Sequence, residues 1–442
     1  MKRLLGEAGF FAYLDALNQP YTRALRVNLL LRPDGTPPCP IEGLGAPVPW
    51  AKGAYFVEGD ARPGLSPLHE GGLFYMQEPS ALTAVTALDP QPGERVLDLC
   101  AAPGGKSTQI AALMAGRGLL CCNEPIPSRA QILSRNIERM GVRNAVVLSA
   151  MPDALAPRFP AFFDRILVDA PCSGEGMFRR QPEARDEWDA DAPRRCADRQ
   201  MEILAQAAKM LRPGGTMVYS TCTFNDTENE GVLQRFLALH PEFSLVPFAL
   251  PGLLEAKDGY LHLYPHEMRG EGHFVSRLKK ADGADEANAP VQAAPQRKAP
   301  ARAAAKGKAP APIALPDVFS DAFAPERLYT AGDALWMLPE GISIERLSGL
   351  RVLRTGLLLA HAEGKRSEPD HALAMALRPE EAARTASLTQ AQALAYQAGE
   401  TLSLGDLPGG YTLLCCEGVS LGWGKQAGGL MKNHYPKGLR RR

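Results

Sequence analysis

Two cysteines in the sequence stand where a reactive thiol would be useful. Cys172 follows the apolar segment Arg165–Val168 and an Asp-Ala-Pro turn, and Cys222 follows the apolar segment Met217–Tyr219. Because helical patterns separate such segments, we expect them to be strands of one parallel sheet, with both thiols at its carboxyl-end edge. An inert buried thiol is the alternative for either cysteine alone, but the matching positions favour a functional pair.

The residues around Cys172 indicate which chemistry the thiols would serve. Asp169-Ala170-Pro171 continues with a cysteine, whereas methylation of exocyclic amines commonly uses an aromatic residue there to stack on the base. Carbon-5 of a pyrimidine becomes nucleophilic when a thiolate adds to carbon-6, which divides one difficult step into two easier ones. A donor at ring nitrogen 3 stabilises the charge that develops. We expect Asp169 to be that donor, as a protonated carboxyl whose pKa is raised in a closed site.

A loop of small residues predicts a nucleotide-like cofactor. The apolar run Arg95–Leu99 leads into Cys100–Gly105 and then into a helical pattern, so that backbone N–H groups and a helix N-terminus face a ligand. Cys100 stands where a Walker phosphate loop needs glycine, and the dinucleotide pattern G-x-G-x-x-G is absent. Glu124, after the next apolar run, suits two ribose hydroxyls. The arrangement favours S-adenosylmethionine, and a sheet loop without a ligand is the alternative.

The composition is that of an ordinary globular protein. The 442 residues suffice for two or three domains, and 49 basic residues balance 49 acidic ones. Nucleic-acid binding would therefore depend on local basic patches. The nine cysteines show no Cys-x-x-Cys spacing, and no apolar run approaches the roughly 18 residues that span a bilayer. We expect a cytoplasmic monomer with reduced thiols, no metal site, no membrane contact and no DNA partner.

Alternating strand and helix patterns between residues 73 and 278 predict an α/β fold, a doubly wound Rossmann-like domain. Short strands such as Val352–Leu359 follow it. The predicted units are a small N-terminal accessory domain (1–75), a catalytic domain (76–280), a disordered linker (281–312), an intermediate α+β domain (313–382) and an RNA-binding unit (383–442).

Two further patterns suggest RNA contacts. The predicted strand Ala24–Leu31 places Arg26 and Asn28 on one face, which is either solvated or in contact with RNA. Near the C-terminus, basic residues interleave with Trp423 and Tyr435. Such a surface suits phosphate contact and base stacking, and a plain basic tail is the alternative.

The motifs of the chain resemble those of the Sun (NSUN) family of RNA cytosine-5 methyltransferases, and within it the bacterial RsmF-type enzymes. The residues that carry the resemblance are Leu97–Lys106 (LDLCAAPGGK), Asp169–Gly176 (DAPCSGEG), Ser220–Thr223 (STCT) and Tyr75–Ser80 (YMQEPS). Gly422–Lys425 and Lys432–Gly438 are similar to PUA-type RNA-binding domains. The resemblance covers nearly the whole chain. It implies S-adenosylmethionine-dependent methylation of carbon-5 of cytidine in 16S ribosomal RNA, near the decoding region. Transfer RNA is the alternative substrate, and a non-catalytic ribosome-assembly factor is the alternative function.

The resemblance also implies roles for individual residues. Cys222 would attack carbon-6, and Cys172 would assist release of the enzyme after methyl transfer. Asp169 would hold the cytosine edge, and Lys106 would contact the base or the cofactor carboxylate. The implied cofactor-binding residues are Cys100, Ala101, Ala102, Pro103, Gly104, Gly105, Lys106, Glu124, Arg129 and Asp169.

One segment departs from the family pattern. After the third strand the family has an acidic or amide side chain near the adenine, whereas this chain reads Ser149-Ala150-Met151-Pro152-Asp153. We expect Ser149, or Asp153 through a shifted loop, to replace that side chain, and Met151 to pack on the adenine ring. We expect Asp98 to order the cofactor loop rather than to touch the cofactor.

Overall fold

A computed structural model describes the chain except residues 182, 187, 254, 284–312, 314–316, 320–324, 364–365 and 442. The predicted linker, 281–312, therefore lies outside the described residues from position 284 onward. No helix in the described part of the chain is long and apolar enough to cross a membrane.

The N-terminal unit combines a small antiparallel sheet with two helices. Its elements are α1 (Lys2–Leu17), β1 (Arg23–Val27), β2 (Leu44–Pro47), β3 (Ala54–Val57), α2 (Pro67–Glu70) and β4 (Phe74–Gln77). The strand order is β2-β3-β1-β4, so this sheet extends past the predicted boundary at residue 75. Strand β1 ends before the predicted Leu31, because the Asn28 side chain accepts a hydrogen bond from Leu30 N (3.1 Å) and turns the chain.

The polar face of β1 is buried, which corrects the expectation of a solvated or RNA-binding face. Arg26 and Asn28 are each 1% exposed. Arg26 Nη2 donates hydrogen bonds to Gly105 O (3.2 Å) and Thr108 Oγ1 (2.9 Å), and Asn28 Nδ2 donates to Met140 O (3.0 Å). This face packs against the catalytic domain, because its polar groups find partners there that replace water.

The catalytic domain is built on a mostly parallel sheet. Its elements are α3 (Thr83–Leu88), β5 (Arg95–Asp98), α4 (Gly105–Leu113), β6 (Leu119–Asn123), α5 (Pro127–Arg139), β7 (Ala145–Leu148), α6 (Pro152–Leu155), β8 (Phe163–Asp169), α7 (Glu183–Asp186), α8 (Ala192–Met210), β9 (Leu211–Thr221), α9 (Glu230–Leu239), β10 (Phe243–Leu245), β11 (Phe248–Ala249), β12 (Glu255–Ala256), β13 (Tyr260–Leu263) and β14 (His273–Lys280).

The strand order of this sheet is β7-β6-β5-β8-β9-β14-β10, in which β5 to β9 are parallel and β14 is antiparallel to its neighbours β9 and β10. The central strands are apolar and buried because helices cover both faces. Helices α3 to α5 pack on one face, and α6, α8 and α9 pack on the other. The prediction of a doubly wound Rossmann-like domain is confirmed.

The next unit is a second small sheet that is joined to the catalytic domain. Its elements are β15 (Leu328–Ala331), β16 (Ala334–Met337), α10 (Ile344–Leu347), β17 (Val352–Arg354), β18 (Leu357–Glu363), β19 (Arg366–Pro369) and α11 (His371–Ala376). The predicted single strand Val352–Leu359 is wrong. Gly356, at φ 140°, separates β17 from β18, and a Cβ there would lie 2.2 Å from Met337 O. Strand β17 pairs antiparallel with β7 and so extends the catalytic sheet.

The last unit consists of β20 (Thr385–Ser387), α12 (Gln390–Ala398), β21 (Gly410–Cys416), β22 (Val419–Ala427) and β23 (Leu430–Asn433). Trp423 and Tyr435 are only 2% and 3% exposed, so the prediction that they stack on bases is wrong. Trp423 Nε1 donates to Asp370 O (2.8 Å), and Tyr435 packs edge-on against His371. Both aromatic side chains are part of the core, where they contact other residues of the protein.

Candidate active site

The carboxyl ends of β5, β8 and β9 bring the predicted catalytic groups together. Asp169 is the last residue of β8 and pairs in register with Ser220 of β9. Lys106, in the first turn of α4, reaches the same edge, where its Nζ lies 2.7 Å from Asp169 Oδ2. The site therefore contains an ion pair between groups that are 63 positions apart in the sequence.

The two predicted thiols lie side by side. Cys172 Sγ and Cys222 Sγ are 3.2 Å apart, and both thiols are free and partly exposed. The loop after Cys172 folds closely over Cys222, since Gly176 N donates to Cys222 O (2.8 Å). A Cβ on Gly176 would lie 2.9 Å from that oxygen, so the close approach depends on glycine.

Asp169 is an ionised carboxylate, which corrects the expectation of a protonated donor. Burial alone would raise its pKa, but Lys106 and the nearby His273 outweigh burial and hold the pKa of Asp169 below its ordinary value. Ser220 Oγ donates to Asp169 Oδ1 (2.8 Å), and His273 Nε2 lies 3.4 Å from the same oxygen. Burial would lower the pKa of Lys106, but the charge of Asp169 raises it overall. The ammonium, rather than the carboxyl, is thus the donor in this pair.

Two thiols of the site are weaker acids than an ordinary cysteine. The hydrogen bond with Cys222 and then burial raise the pKa of Cys172 well above its ordinary value. Burial likewise raises the pKa of Cys100 well above the ordinary range. Cys100, in the cofactor loop, is therefore not a reactive thiol at neutral pH.

The cofactor loop, residues 100–106, is held from both sides. Arg129 Nη2 donates to Ala102 O (3.1 Å), and Asn136 Nδ2 donates to Pro103 O (2.9 Å), both from α5. On the other side, a Cβ on Gly105 would lie 3.2 Å from the Tyr75 ring and 3.3 Å from the Gln77 amide carbon. The loop is thus fixed in a conformation that exposes its backbone to a ligand.

The carboxylates beside this loop have different environments. Asp98 is fully buried and accepts a hydrogen bond from Ser107 Oγ (2.6 Å), and burial raises its pKa to about 7. Glu124, 3% exposed, accepts from Ile126 N (3.0 Å) and lies 3.5 Å from Arg129 Nη1. Asp98 therefore contacts helix α4, which follows the cofactor loop. Glu124 instead lies at the end of β6, where a ribose would approach.

The adenine segment lies at the same edge of the sheet. Ser149 Oγ donates to Pro125 O (3.3 Å), so its hydroxyl is already engaged with the backbone. Met151 is 61% exposed, and Asp153 is exposed in the first turn of α6. The adenine contacts of Ser149, Met151 and Asp153 stay predictions.

Sequence reasoning missed several residues of the site. His273 lies beside Asp169 but comes from the antiparallel strand β14, and its segment matched only a strand pattern. Glu228 and Asn229 are fully buried near the two cysteines. Their only signal was a run of polar residues, Thr227-Glu228-Asn229-Glu230, where α9 begins.

The sheet order, the small-residue loop after β5 and the carboxylate at the end of β6 define a Rossmann-like S-adenosylmethionine-dependent methyltransferase. The donor set is compatible with that cofactor, since the glycine backbone would face its amino-acid part and the Glu124 carboxylate would face its ribose. Sequence models of four domains match the chain. They describe the 16S rRNA methyltransferase RsmB/F (residues 85–279), the N-terminal domain of RsmF (1–79), its first C-terminal domain (316–377) and its PUA domain (383–441). The chain belongs to the RsmF family of 16S rRNA methyltransferases.

Individual relatives agree with this assignment. Ribosomal RNA small subunit methyltransferase F of Erwinia tasmaniensis is 33% identical over 99% of this chain and 95% of its own length. The protein of the same name from Klebsiella pneumoniae is 34% identical over 97% of this chain and 92% of its own. A solved methyltransferase homolog from Pyrococcus horikoshii is 29% identical, with a TM-score of 0.51 over 63% of this chain and 97% of that one. The predicted family, fold class and cofactor are confirmed.

Proposed function

We propose that the protein methylates carbon-5 of cytidine in 16S ribosomal RNA through a cysteine adduct at carbon-6. The observation that carries this proposal is the pair of thiols, 3.2 Å apart, at the strand edge that also holds the Lys106–Asp169 ion pair. A reaction at an exocyclic amine needs no such pair of thiols. The relatives named ribosomal RNA small subunit methyltransferase F support the substrate class.

In the proposed reaction, Cys222 is the nucleophile. Its thiolate forms a bond to carbon-6, and the electron pair of the ring double bond moves toward carbon-5. When bound, S-adenosylmethionine supplies the electrophilic methyl group that carbon-5 takes. The carbon-5 proton then leaves to solvent with the assistance of Cys172, the bond between carbon-6 and Cys222 breaks, and the Cys222 thiolate is restored.

The Lys106–Asp169 pair recognises the edge of the base in this proposal. A carboxylate accepts a hydrogen bond from the cytosine amino group, which thymine-like edges lack. The Lys106 ammonium has donors left beyond its bond to Asp169, and one of them stabilises the charge that develops at ring nitrogen 3. In this proposal the ionised Asp169 keeps its place at the cytosine edge and selects the amino group, while Lys106 takes over the donor role that we expected of Asp169.

We propose that the substrate is a cytidine turned out of structured RNA, because enzymes that react with a base generally take it out of the stacked duplex. We propose that the N-terminal and C-terminal units supply phosphate and shape contacts to ribosomal RNA or to the small ribosomal subunit. We further propose that the protein acts as a monomer in the cytoplasm.

The test is labelled methyl transfer to 16S RNA, assembled small subunits and transfer RNA, with bisulfite mapping of the product. We expect label in 16S RNA, and label in transfer RNA alone would overturn the ribosomal substrate. Cys222→Ala should abolish transfer, while Cys172→Ala should accumulate a covalent RNA adduct that migrates slowly in a denaturing gel. Normal turnover of Cys222→Ala would show that another group is the nucleophile.

A further inference from the structure

Two buried polar residues, Glu228 and Asn229, connect the loops that carry the two cysteines. Both side chains are 0% exposed, and both precede α9. The reaction proposed above gives them no part. Desolvating a carboxylate and an amide costs free energy that only well-placed partners offset, so the partners indicate what the two side chains do.

Asn229 holds the chain on both sides of Cys222. Its Oδ1 accepts a hydrogen bond from Thr221 Oγ1 (2.7 Å), and its Nδ2 donates to Thr223 O (3.1 Å). The residues before and after the thiol are thus fixed by one amide. The two bonds therefore restrain the backbone on either side of Cys222.

Glu228 holds the chain next to Cys172. Its Oε2 accepts from Ser173 N (3.0 Å) and from Gln200 Nε2 (2.9 Å), and the same Gln200 nitrogen donates to Pro171 O (3.0 Å). The residues on both sides of Cys172 are therefore fixed through Glu228 and Gln200. The other carboxylate oxygen accepts from Asn225 Nδ2 (2.8 Å), in the loop of Cys222. Glu228 thus ties the two cysteine loops together.

Both oxygens of Glu228 accept hydrogen bonds, and the Ser173 hydroxyl also bonds to the oxygen that faces Asn225. A backbone N–H and two amide nitrogens, from Gln200 and Asn225, only donate. Within the described part of the chain, no Lys, Arg or His nitrogen lies within 4.0 Å of this carboxylate. A negative charge without a counterion therefore lies beside Cys172.

This charge acts on the Cys172 thiol. The pKa of Cys172 is raised by the hydrogen bond with Cys222, by burial, and by the negative charges of Cys222 and Glu228. On the other side of the pair, the charge of Cys222 contributes to raising the pKa of Lys106. Three further titratable groups face the cluster. The Glu175 carboxylate accepts from Asn225 Nδ2 (3.3 Å) and Phe224 N (2.9 Å), and burial raises the pKa values of Cys196 and Tyr219.

We propose that Glu228 and Asn229 are positioning residues that set the two thiols side by side and give them unequal affinity for a proton. Asn229 fixes the thiol of Cys222, and Glu228 fixes the thiol of Cys172 and directs the proton of the pair to it, which leaves Cys222 as the thiolate. The link to catalysis rests on the proposed function, whereas the inequality of the thiols does not.

The test measures thiol reactivity without RNA or cofactor. The full-length protein is alkylated with iodoacetamide between pH 6 and pH 10, and peptide mass spectrometry follows Cys172 and Cys222 separately. We expect Cys222 to react at lower pH than Cys172 in the wild-type protein. Glu228→Gln should move the alkylation midpoint of Cys172 down by about one pH unit or more. The control Glu230→Gln, two positions further on and paired with His262, should leave both midpoints in place.

Two results would overturn the proposal. One is an unchanged Cys172 profile in folded Glu228→Gln. The other is a wild-type protein in which Cys172 reacts at the lower pH, and this result needs no variant to fold.

Asn229→Asp keeps the acceptor for Thr221 and loses the donor to Thr223, so we expect kcat to fall about tenfold or more, with little change in the KM for S-adenosylmethionine. An unchanged kcat would remove Asn229 from the proposal. If instead Cys222→Ala retained turnover, the proposed function would fail while the alkylation profiles remained valid.

Discussion

Lys106→Met removes the cation of the buried Lys106–Asp169 pair and keeps a side chain of similar length. The two charged atoms are 2.7 Å apart, and the side chains are 12% and 27% exposed. Because Asp169 has a pKa below its ordinary value in the folded protein, its ionisation contributes stability at neutral pH that is lost as pH falls through the acidic range. We expect Lys106→Met to raise the pKa of Asp169 and to lose part of this stability.

The magnitude follows from what remains around Asp169. Removing one partner of a buried ion pair costs about 3–5 kcal/mol. Ser220 and His273 still face the Asp169 carboxylate, so we expect the lower end of that range, about 3 kcal/mol. Asp169→Asn should cost less, because it leaves the flexible ammonium free to reach water. The double variant should lose about 1–3 kcal/mol less stability than the sum of the two single losses, and this difference measures the coupling between the partners.

Urea unfolding of the wild-type protein, both single variants and the double variant at pH 7.5 measures this coupling. Methyl transfer, measured in parallel, should fall by about a hundredfold in Lys106→Met, since the variant loses the donor to the ring. The control is Lys280→Met, which removes an ammonium that donates to Ala208 O (2.8 Å) and Leu211 O (3.0 Å), away from the site. Strictly additive losses would refute the coupling, and near-normal turnover of Lys106→Met would refute its role at the base.

Two further predictions concern the cofactor loop. Asp98→Asn should stabilise the fold at pH 8 by up to about 4 kcal/mol. Burial raises the pKa of Asp98 to about 7, so the wild-type protein loses stability as pH rises from about 4 to 7. The difference in unfolding free energy between Asp98→Asn and the wild-type protein should grow over that pH interval. A constant difference would contradict the raised pKa of Asp98. Gly105→Ala should weaken S-adenosylmethionine binding by about tenfold in calorimetry, because its Cβ would press on Tyr75 and Gln77. Gly64→Ala, whose Cβ would meet only Met76 at 3.9 Å, is the control, and equal affinities of the two variants would refute the steric argument.

The parts of the fold that local patterns determine were predictable. The strands β6 and β7 are buried on both faces, as in a parallel sheet covered by helices. Their continuous apolar runs could therefore be recognised as such strands from the sequence. The carboxyl ends of such strands meet at one edge, which is why Asp169, Cys172 and Cys222 could be expected together from their motifs alone.

The ionisation of Asp169 was not predictable in this way. It depends on Lys106 and His273, which come from segments far away in the sequence and meet the carboxylate only in the folded sheet. The burial of Arg26 and Trp423 has the same origin. An alternating or basic pattern gives the face on which a residue lies, but the neighbouring unit decides whether that face meets water.

The units before and after the catalytic domain form contacts that position its cofactor loop. Arg26, from the N-terminal sheet, has a pKa lowered to about 10 by burial, and among the described residues its Nε and Nη1 have no hydrogen-bond partner. Burying such a side chain costs free energy, and its hydrogen bonds to Gly105 and Thr108 in the first turn of α4 offset part of that cost. From the other side, Arg354 of β17 forms an ion pair with Glu138 of α5, the helix that fastens the cofactor loop. The loop is therefore positioned by units that precede and follow the catalytic domain, and its geometry depends on all of them being folded together.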